Sequence, residues 1–257
     1  MNIDRRRIIA PEGITPIYPK TSSQQSKDDN DIKKMFIKTG LINNANGSSY
    51  MEIDNNIIEV SVFGPRPIRG SFIDQASVSV ECKFLPHISQ PNEGIFNEND
   101  GKKHGLTNIE QKISSYVETA ILPSILLKKY PKSTIDLHIT IIENNTSLLN
   151  LIGWIINCSS IALVDAGIEI KDIITSGQVN LKTVDGNESV IVDPNDNDNS
   201  LEVLVSYMNL KNDEIVGLWI EGSNDLDNEV LNGLITKCNE MSRKIRSNIN
   251  AYLLSQQ

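Results

Sequence analysis

One segment, residues 147–167, limits the folds open to this chain more than any other: it reads SLLNLIGWIINCSSIALVDAG. A helix on a protein surface has one apolar face, whereas this segment is apolar nearly all round. Gly167 stands where a glycine commonly ends a helix. The segment therefore predicts a core helix that is buried between two layers of other structure.

Short runs typical of β-strands lie on both sides of this segment. Turn-forming residues separate the first three runs and predict an antiparallel meander. The strand-like runs are MFIKTGLI, SSYMEI, NIIEVSVFG, ASVSVECKF and STIDLHITII before the core helix, and DIITSGQVNL, ESVIVD, LEVLVSYMNL and EIVGLWIEG after it. This order predicts an α+β fold with helices packed on antiparallel-rich sheets. It is compatible with two ββαβ-type halves, although the sequence contains no detectable repeat.

Two further helices complete the pattern. Residues 108–129 place apolar side chains three or four positions apart on one face, and Pro123 should kink or interrupt this helix. A second stripe predicts a long final helix over about residues 226–254. Residues 86–107 contain Pro, Gly and Asn throughout, which predicts a long exposed loop.

The chain divides into an extension and one domain. Residues 1–34 are rich in Pro, Ser, Gln and Asp. We therefore expect a flexible N-terminal extension that becomes ordered only on a partner. Residues 35–257 are predicted to form the globular domain.

Composition excludes several classes of protein. A net charge of −9 argues against a protein that binds nucleic acid over its whole surface. Three widely spaced cysteines favour a reducing compartment over a disulfide framework or a zinc site. No uninterrupted apolar run approaches the ~20 residues of a membrane helix, and the N-terminus lacks the apolar core of a signal peptide. Motifs for nucleotide hydrolysis, zinc proteolysis and serine hydrolysis are absent, so we expect no metal, no cofactor and no membrane contact.

The arginines are confined to three clusters. Arg66 and Arg69 lie on a turn within VFGPRPIRGSF, and arginines on a rigid turn suit phosphate binding because the guanidinium matches phosphate oxygens in pairs. They can belong to a phosphoryl-transfer site or to a phosphate-contacting rim, or Arg66 can pair with a carboxylate in a subunit interface. The cluster Arg5, Arg6 and Arg7 can contact RNA, dock on a neighbouring subunit or form a solvated tail. The third cluster is Arg243 with Arg246.

Several segments resemble the RNase PH family in their amino-acid sequence and in their order along the chain, over roughly residues 36–254. The most specific are GPR within VSVFGPRPIRGSF and ALVDAGI within SIALVDAGIEIKDI; TGLINNANGSSYMEI, YPKSTIDLHITII, VIVDPNDNDN and EIVGLWIEGS also stand in the family's order. The resemblance implies an RNase PH-like domain that assembles into a six-membered ring around an RNA channel. It is closest to members of the eukaryotic RNA exosome core ring.

Ring membership implies a set of partners and locations. The expected partners are other RNase PH-like ring subunits, an oligonucleotide-binding-fold cap protein, single-stranded RNA in the channel and the associated exoribonucleases of the complex. The expected locations are the nucleus, nucleolus and cytoplasm.

The same resemblance implies that catalysis has been lost. Active family members phosphorolyse RNA from its 3′ end, which requires fixed cations around phosphate and an acidic residue. Their Gly-Ser/Thr-Arg phosphate cradle falls here on Asn150, Leu151 and Ile152. Of their two aspartates six residues apart, the first corresponds to Asp193 and the second to Asn199. We therefore expect a degenerate site and a non-catalytic ring subunit.

An alternative function rests on the acidic run DPNDNDNS. Asp193, Asp196 and Asp198 could support a metal-dependent nuclease or a residual phosphorolytic activity. The run lacks the glycine and the closing glutamate of a calcium-binding EF-hand loop, so a solvated acidic turn is the competing interpretation.

Overall fold

The computed structural model has two β-sheets that enclose a central helix. It describes residues 32–70, 73–88, 107–184, 187–194, 201–222 and 228–256.

The first sheet contains five strands in the order β1-β2-β3-β5-β4. They are β1 Met35–Thr39, β2 Gly47–Ile53, β3 Asn56–Pro67, β4 Ser77–Phe84 and β5 Ser133–Glu143. The strands β1 to β3 form the predicted meander, and β3 pairs with β5 in antiparallel fashion. The strand β4 lies on the far side of β5 and is parallel to it, so the chain has to cross over between these two strands.

The second sheet contains four strands in the order β7-β6-β8-β9, all antiparallel. They are β6 Ile174–Val184, β7 Asn187–Val192, β8 Leu201–Met208 and β9 Glu214–Glu221. The strand β8 is buried along nearly its whole length, whereas β9 forms an edge with exposed side chains.

Among the described residues, three α-helices and one short 3₁₀ helix pack on these sheets. They are α1 Asn108–Ile121, the 3₁₀ helix Leu127–Lys129, α2 Leu148–Asp165 and α3 Asn228–Ser255. A capping box fixes the start of α1, because the Thr107 side chain accepts from the Glu110 amide while the Glu110 carboxylate accepts from the Thr107 amide. This helix ends two residues before Pro123, as expected from the missing amide proton of proline.

The helix α2 is the predicted core helix. It contacts strands of both sheets, and every residue from Leu148 to Leu163 is buried. Within the described residues it is also the one helix that could cross a membrane by length and composition, but 89% of it is buried inside the protein, as in the core helix of a soluble fold. Gly167 follows it with φ +68°, the left-handed conformation that favours glycine.

The helix α3 covers the outer face of the second sheet, where it contacts β6, β7 and β8. Gly177 of β6 permits this packing, because a Cβ at this position would lie 2.1 Å from the carbonyl oxygen of Cys238 in α3. The α+β prediction with helices on antiparallel-rich sheets is confirmed.

The N-terminal extension lies mostly outside the described residues, so its predicted flexibility stays a prediction. Three of its residues, 32–34, are described. Ile32 packs against the core and Lys33 is buried, with 2% of its surface exposed. Contact with the domain therefore begins at least three residues before Met35.

Candidate functional site

The three cradle positions lie in the first turn of α2. Ser147 caps the helix and accepts a hydrogen bond from the amide of Asn150 at 3.3 Å. Leu151 and Ile152 are fully buried and belong to the hydrophobic core. Two of the three positions therefore supply core packing, and they offer phosphate neither a hydroxyl group nor a cation.

Asp193 lies beside Asn150, as the resemblance implies for the two halves of a family site. It follows β7 with φ +53° and is 2% exposed. Its Oδ1 accepts from Nδ2 of Asn150 at 2.7 Å and from Nε1 of Trp154 at 3.4 Å. The sequence thus identified two residues that meet in space, although 43 positions separate them.

Lys33 also contacts this carboxylate. Its Nζ is 3.1 Å from Oδ1 of Asp193, and its backbone amide donates to Oδ2 at 2.9 Å. The same ammonium group donates to Oδ1 of Asn150 at 3.3 Å and to the carbonyl oxygen of Pro194 at 3.1 Å. Both charged side chains have no exposed surface. The chain's own ammonium group therefore neutralises the acidic residue that the resemblance assigns to the site.

A second carboxylate, Glu202, lies in the same network and was missed by the sequence analysis. Nδ2 of Asn150 donates to Oε1 of Gln178 at 2.6 Å, and Nε2 of Gln178 donates to Glu202 at 3.3 Å. Asn180 donates to the other oxygen of Glu202 at 3.3 Å. Burial raises the pKa of Glu202, partly offset by hydrogen bonds from Ser147 and Asn180. The available signal was that Gln178 and Asn180 alternate with apolar residues in one strand, and that Glu202 is the one acidic residue of a largely apolar strand.

This polar network is closed. The gap beside Asn150, which Trp154, Gln178 and Met241 also line, leaves no volume even for a water molecule, and a phosphate ion is larger still. Among the residues that the structure describes, no three His, Cys, Asp or Glu side chains are grouped to hold a metal ion. Asp196, Asp198 and Asn199 lie outside the described residues, so the proposed acidic cluster stays a prediction.

Arg66 and Arg69 lie at the other end of the first sheet. Arg66 pairs in β3 with Thr134 near the start of β5, whereas α2 begins shortly after the end of β5. At about 3.3 Å per residue, the two ends of β5 are about 30 Å apart. The arginine turn and the degenerate site are therefore separate features of this chain.

The local contacts of Arg66 leave much of it accessible. Its side chain is 55% exposed and its nearest carboxylate oxygen, on Asp136, is 4.0 Å away. Its guanidinium carbon lies 4.9 Å from the centroid of the Phe63 ring, which makes an edge contact with His138. Gly64 has φ +132°, and a Cβ there would lie 2.6 Å from the carbonyl oxygen of Thr134. Glycine therefore permits the backbone path that leads into the turn.

Arg69 is exposed on the turn after β3. Within the described part of the chain it has no carboxylate within ion-pair distance. Arg5, Arg6 and Arg7 lie outside the described residues. Two of the five predicted RNA-contacting arginines are thus placed, and both have solvent-accessible side chains.

Comparisons with known proteins agree with this architecture. The chain is 34% identical to "Exosome complex component mtr3" of Schizosaccharomyces pombe over 182 residues, which cover 68% of this chain and 66% of that protein, just under two thirds of its length. It is 27% identical to "Exosome complex component MTR3" of Chaetomium thermophilum over 87% of this chain and 89% of that protein. It is also 28% identical to "Exosome complex component Rrp41" of Pyrococcus horikoshii over 79% of this chain and 78% of that protein.

A solved structure supports the fold. The crystal structure of rice (Oryza sativa) Rrp46 superimposes with a TM-score of 0.69 at 18% sequence identity, over 89% of this chain and 98% of that chain. The family model described as RNase PH, 3′ exoribonuclease family, domain 1, matches residues 31–169, which include the first sheet, α1 and α2. The chain therefore belongs to the RNase PH family of 3′ exoribonucleases and related proteins.

Proposed function

We propose that this protein is a non-catalytic subunit of the RNA exosome core ring, and that it supports assembly and the channel through which RNA is threaded for 3′-to-5′ processing and degradation. Two of the similar relatives are named exosome complex component MTR3. The sequence resembles that fungal subunit, the mRNA-transport regulator, in its opening DRRR and in GPRPIRGSF. The observation that carries the non-catalytic half of the proposal is the buried contact between Lys33 and Asp193.

The chemistry of phosphorolysis explains why this contact matters. The reaction brings a phosphate ion beside an anionic RNA backbone, so it needs cations that face the ligand and a carboxylate free for proton transfer or metal binding. In the described site, the ammonium group of Lys33 is turned towards Asp193 and away from solvent. The oxygens of Asp193 already accept from Lys33, Asn150 and Trp154. This arrangement supports a structural role for the site.

An activity assay tests the proposal. The purified chain, alone and with an RNase PH-like partner, is given uniformly labelled single-stranded RNA with phosphate and magnesium, or with magnesium or manganese alone. We expect no release of nucleoside diphosphate or monophosphate above the level of a buffer control. Release that persists through purification and is lost in Asp193→Asn or in Asp196→Asn with Asp198→Asn would establish the alternative nuclease or phosphorolase function.

The proposed partners are other RNase PH-like ring subunits, an oligonucleotide-binding-fold cap protein, single-stranded RNA and the associated exoribonucleases.

The edge strand β9 supports an assembly role, because the apolar side chains of Ile215 and Leu218 are 48% and 46% exposed on it. Native mass spectrometry of the complex purified from cells identifies the neighbours. A stable monomer with no affinity for any RNase PH-like chain would contradict the ring role. Imaging of the tagged protein tests the proposed nuclear, nucleolar and cytoplasmic locations.

Arg66 and Arg69 are proposed to contact RNA phosphates without reading the sequence. Each phosphate contact to a single strand contributes a salt slope of about −0.7, so Arg66→Glu with Arg69→Glu should flatten the slope by about 1.4 units in the assembled complex. Lys128→Glu with Lys171→Glu makes the same charge change at two exposed lysines outside the turn and is the matched control. If the ring dissociates while the salt slope is unchanged, these arginines hold subunits together.

A further inference from the structure

A groove with basic sides lies where the described chain begins. It has a volume of about 170 Å³ and is formed between the first described residue, the end of β7 and α3. Its lining residues are Ile32, Val192, Lys237, Glu240, Met241 and Lys244.

The groove combines an apolar floor with two cations. Val192 and Met241 are buried in the core, and Ile32 is partly buried and packs against the core. Lys237 and Lys244 are seven residues apart on α3, which is about two helical turns or about 10 Å. Lys237 is 41% exposed and lies 3.7 Å from Glu240. Lys244 is exposed and has no carboxylate partner among the residues that the structure describes.

The segment that precedes Ile32 in the sequence has the opposite charge. The four residues before Ile32 are Asp28, Asp29, Asn30 and Asp31, with three carboxylates in four positions. Ile32 itself lines the groove and follows Asp31 directly in the chain, so the covalent connection allows this segment to reach the groove. An extended chain covers about 3.3 Å per residue, so Asp28 and Asp31 can be about 10 Å apart, which matches the spacing of the two lysines.

We propose that residues 28–31 bind in this groove, with the carboxylates of Asp28 and Asp31 opposite Lys237 and Lys244. The consequence extends to the degenerate site, because Lys33 follows Asp31 by only two residues. A segment held on α3 restricts the backbone of Lys33, whose amide and ammonium groups both contact Asp193. Binding of this segment on α3 then helps to hold Lys33 against Asp193.

Hydrogen exchange of the full chain, measured by mass spectrometry at low salt, tests this contact. Exposed ion pairs each stabilise by a few tenths to about one kcal/mol, so Lys237→Glu with Lys244→Glu should speed exchange in peptides that cover residues 26–36 by about fivefold. The charge-swapped chain, which adds Asp28→Lys and Asp31→Lys, should regain most of the protection. Raising the salt to about 0.5 M should speed exchange in the wild type but not in the Lys237→Glu, Lys244→Glu variant.

Controls separate this contact from general effects of charge. Lys128→Glu with Lys171→Glu should leave exchange of residues 26–36 unchanged. The milder pair Lys237→Gln with Lys244→Gln gives a smaller acceleration and replaces the glutamate variant if that variant does not fold. The proposal is wrong if the lysine variants leave exchange of residues 26–36 at the wild-type rate, or if the charge swap fails to restore protection. Loss of binding to a ring neighbour with unchanged exchange would assign the groove to an acidic segment of that neighbour and would also overturn it.

Discussion

Replacing Lys33 with methionine should lower the free energy of unfolding by about 3–5 kcal/mol, because it leaves a buried carboxylate without its counter-charge. In the folded protein the ammonium group is 3.1 Å from Asp193 and neither side chain is exposed. Methionine keeps the apolar stem of the lysine, so little packing is lost. Domains are stable by only about 5–15 kcal/mol, so the midpoint of urea unfolding should fall by more than about 1 M.

A double-mutant cycle isolates the ion pair. Asp193→Asn is the suitable partner substitution because asparagine tolerates the positive φ of this position. Each single variant leaves one buried charge, whereas Lys33→Met with Asp193→Asn leaves none, so the double variant should be more stable than the sum of the singles predicts by at least about 2 kcal/mol. As a control, Arg243→Met breaks an exposed pair with Asp213 and should leave the urea midpoint nearly unchanged. Small, additive effects of both single variants would show that the buried pair does not form.

Three further predictions concern packing, pH and thiol chemistry. Gly177→Ala should destabilise the protein by about 1–3 kcal/mol or more in urea unfolding, because the new Cβ meets the backbone of α3. Gly233 lies in α3 and a Cβ there meets nothing within 4 Å, so Gly233→Ala should stabilise this helix by about 0.5–1 kcal/mol. Burial raises the pKa of Glu202 in the folded state. The contribution of this residue to the free energy of unfolding is therefore present below the ordinary pKa of about 4.3 and is lost as the pH rises through the raised pKa. Glu202→Gln should remove part of the loss of stability that is measured between about pH 4 and pH 7. All three cysteines are buried and burial raises the pKa of each thiol, so a disulfide-exchange reagent should modify none of them in the native protein and all of them in urea.

The sequence predicted the elements whose pattern is local. The central helix could be identified because a segment that is apolar all round has no stable place on a surface. The meander of β1, β2 and β3 could be identified because its turns are short and rich in Asn and Gly. The position of β4 could not be predicted from its own residues, because alternation describes which face of a strand is buried but not which strand lies next to it.

The candidate site was predicted only in part for a related reason. The resemblance located Asn150 and Asp193, which are adjacent in space. Lys33 was assigned to a flexible extension because of the composition of residues 1–34, and its partner lies 160 residues away in the chain. Gln178 and Glu202 lie in strands that are buried on both faces, so their polar character gave no clear sign of which face they occupy.

The separation of these features has a consequence for how the protein can work. A phosphate site must hold donors and cations that stay unsatisfied until the ligand arrives, and this costs stability. In the described site, Lys33, Asn150 and Asp193 satisfy one another and their neighbours pack as core, so this region stabilises the fold. The exposed Arg66 lies about 30 Å away along β5 and can bind RNA without any contribution from that region. Variants at Lys33 should therefore alter unfolding and leave the salt dependence of RNA binding intact, whereas variants at Arg66 should do the reverse.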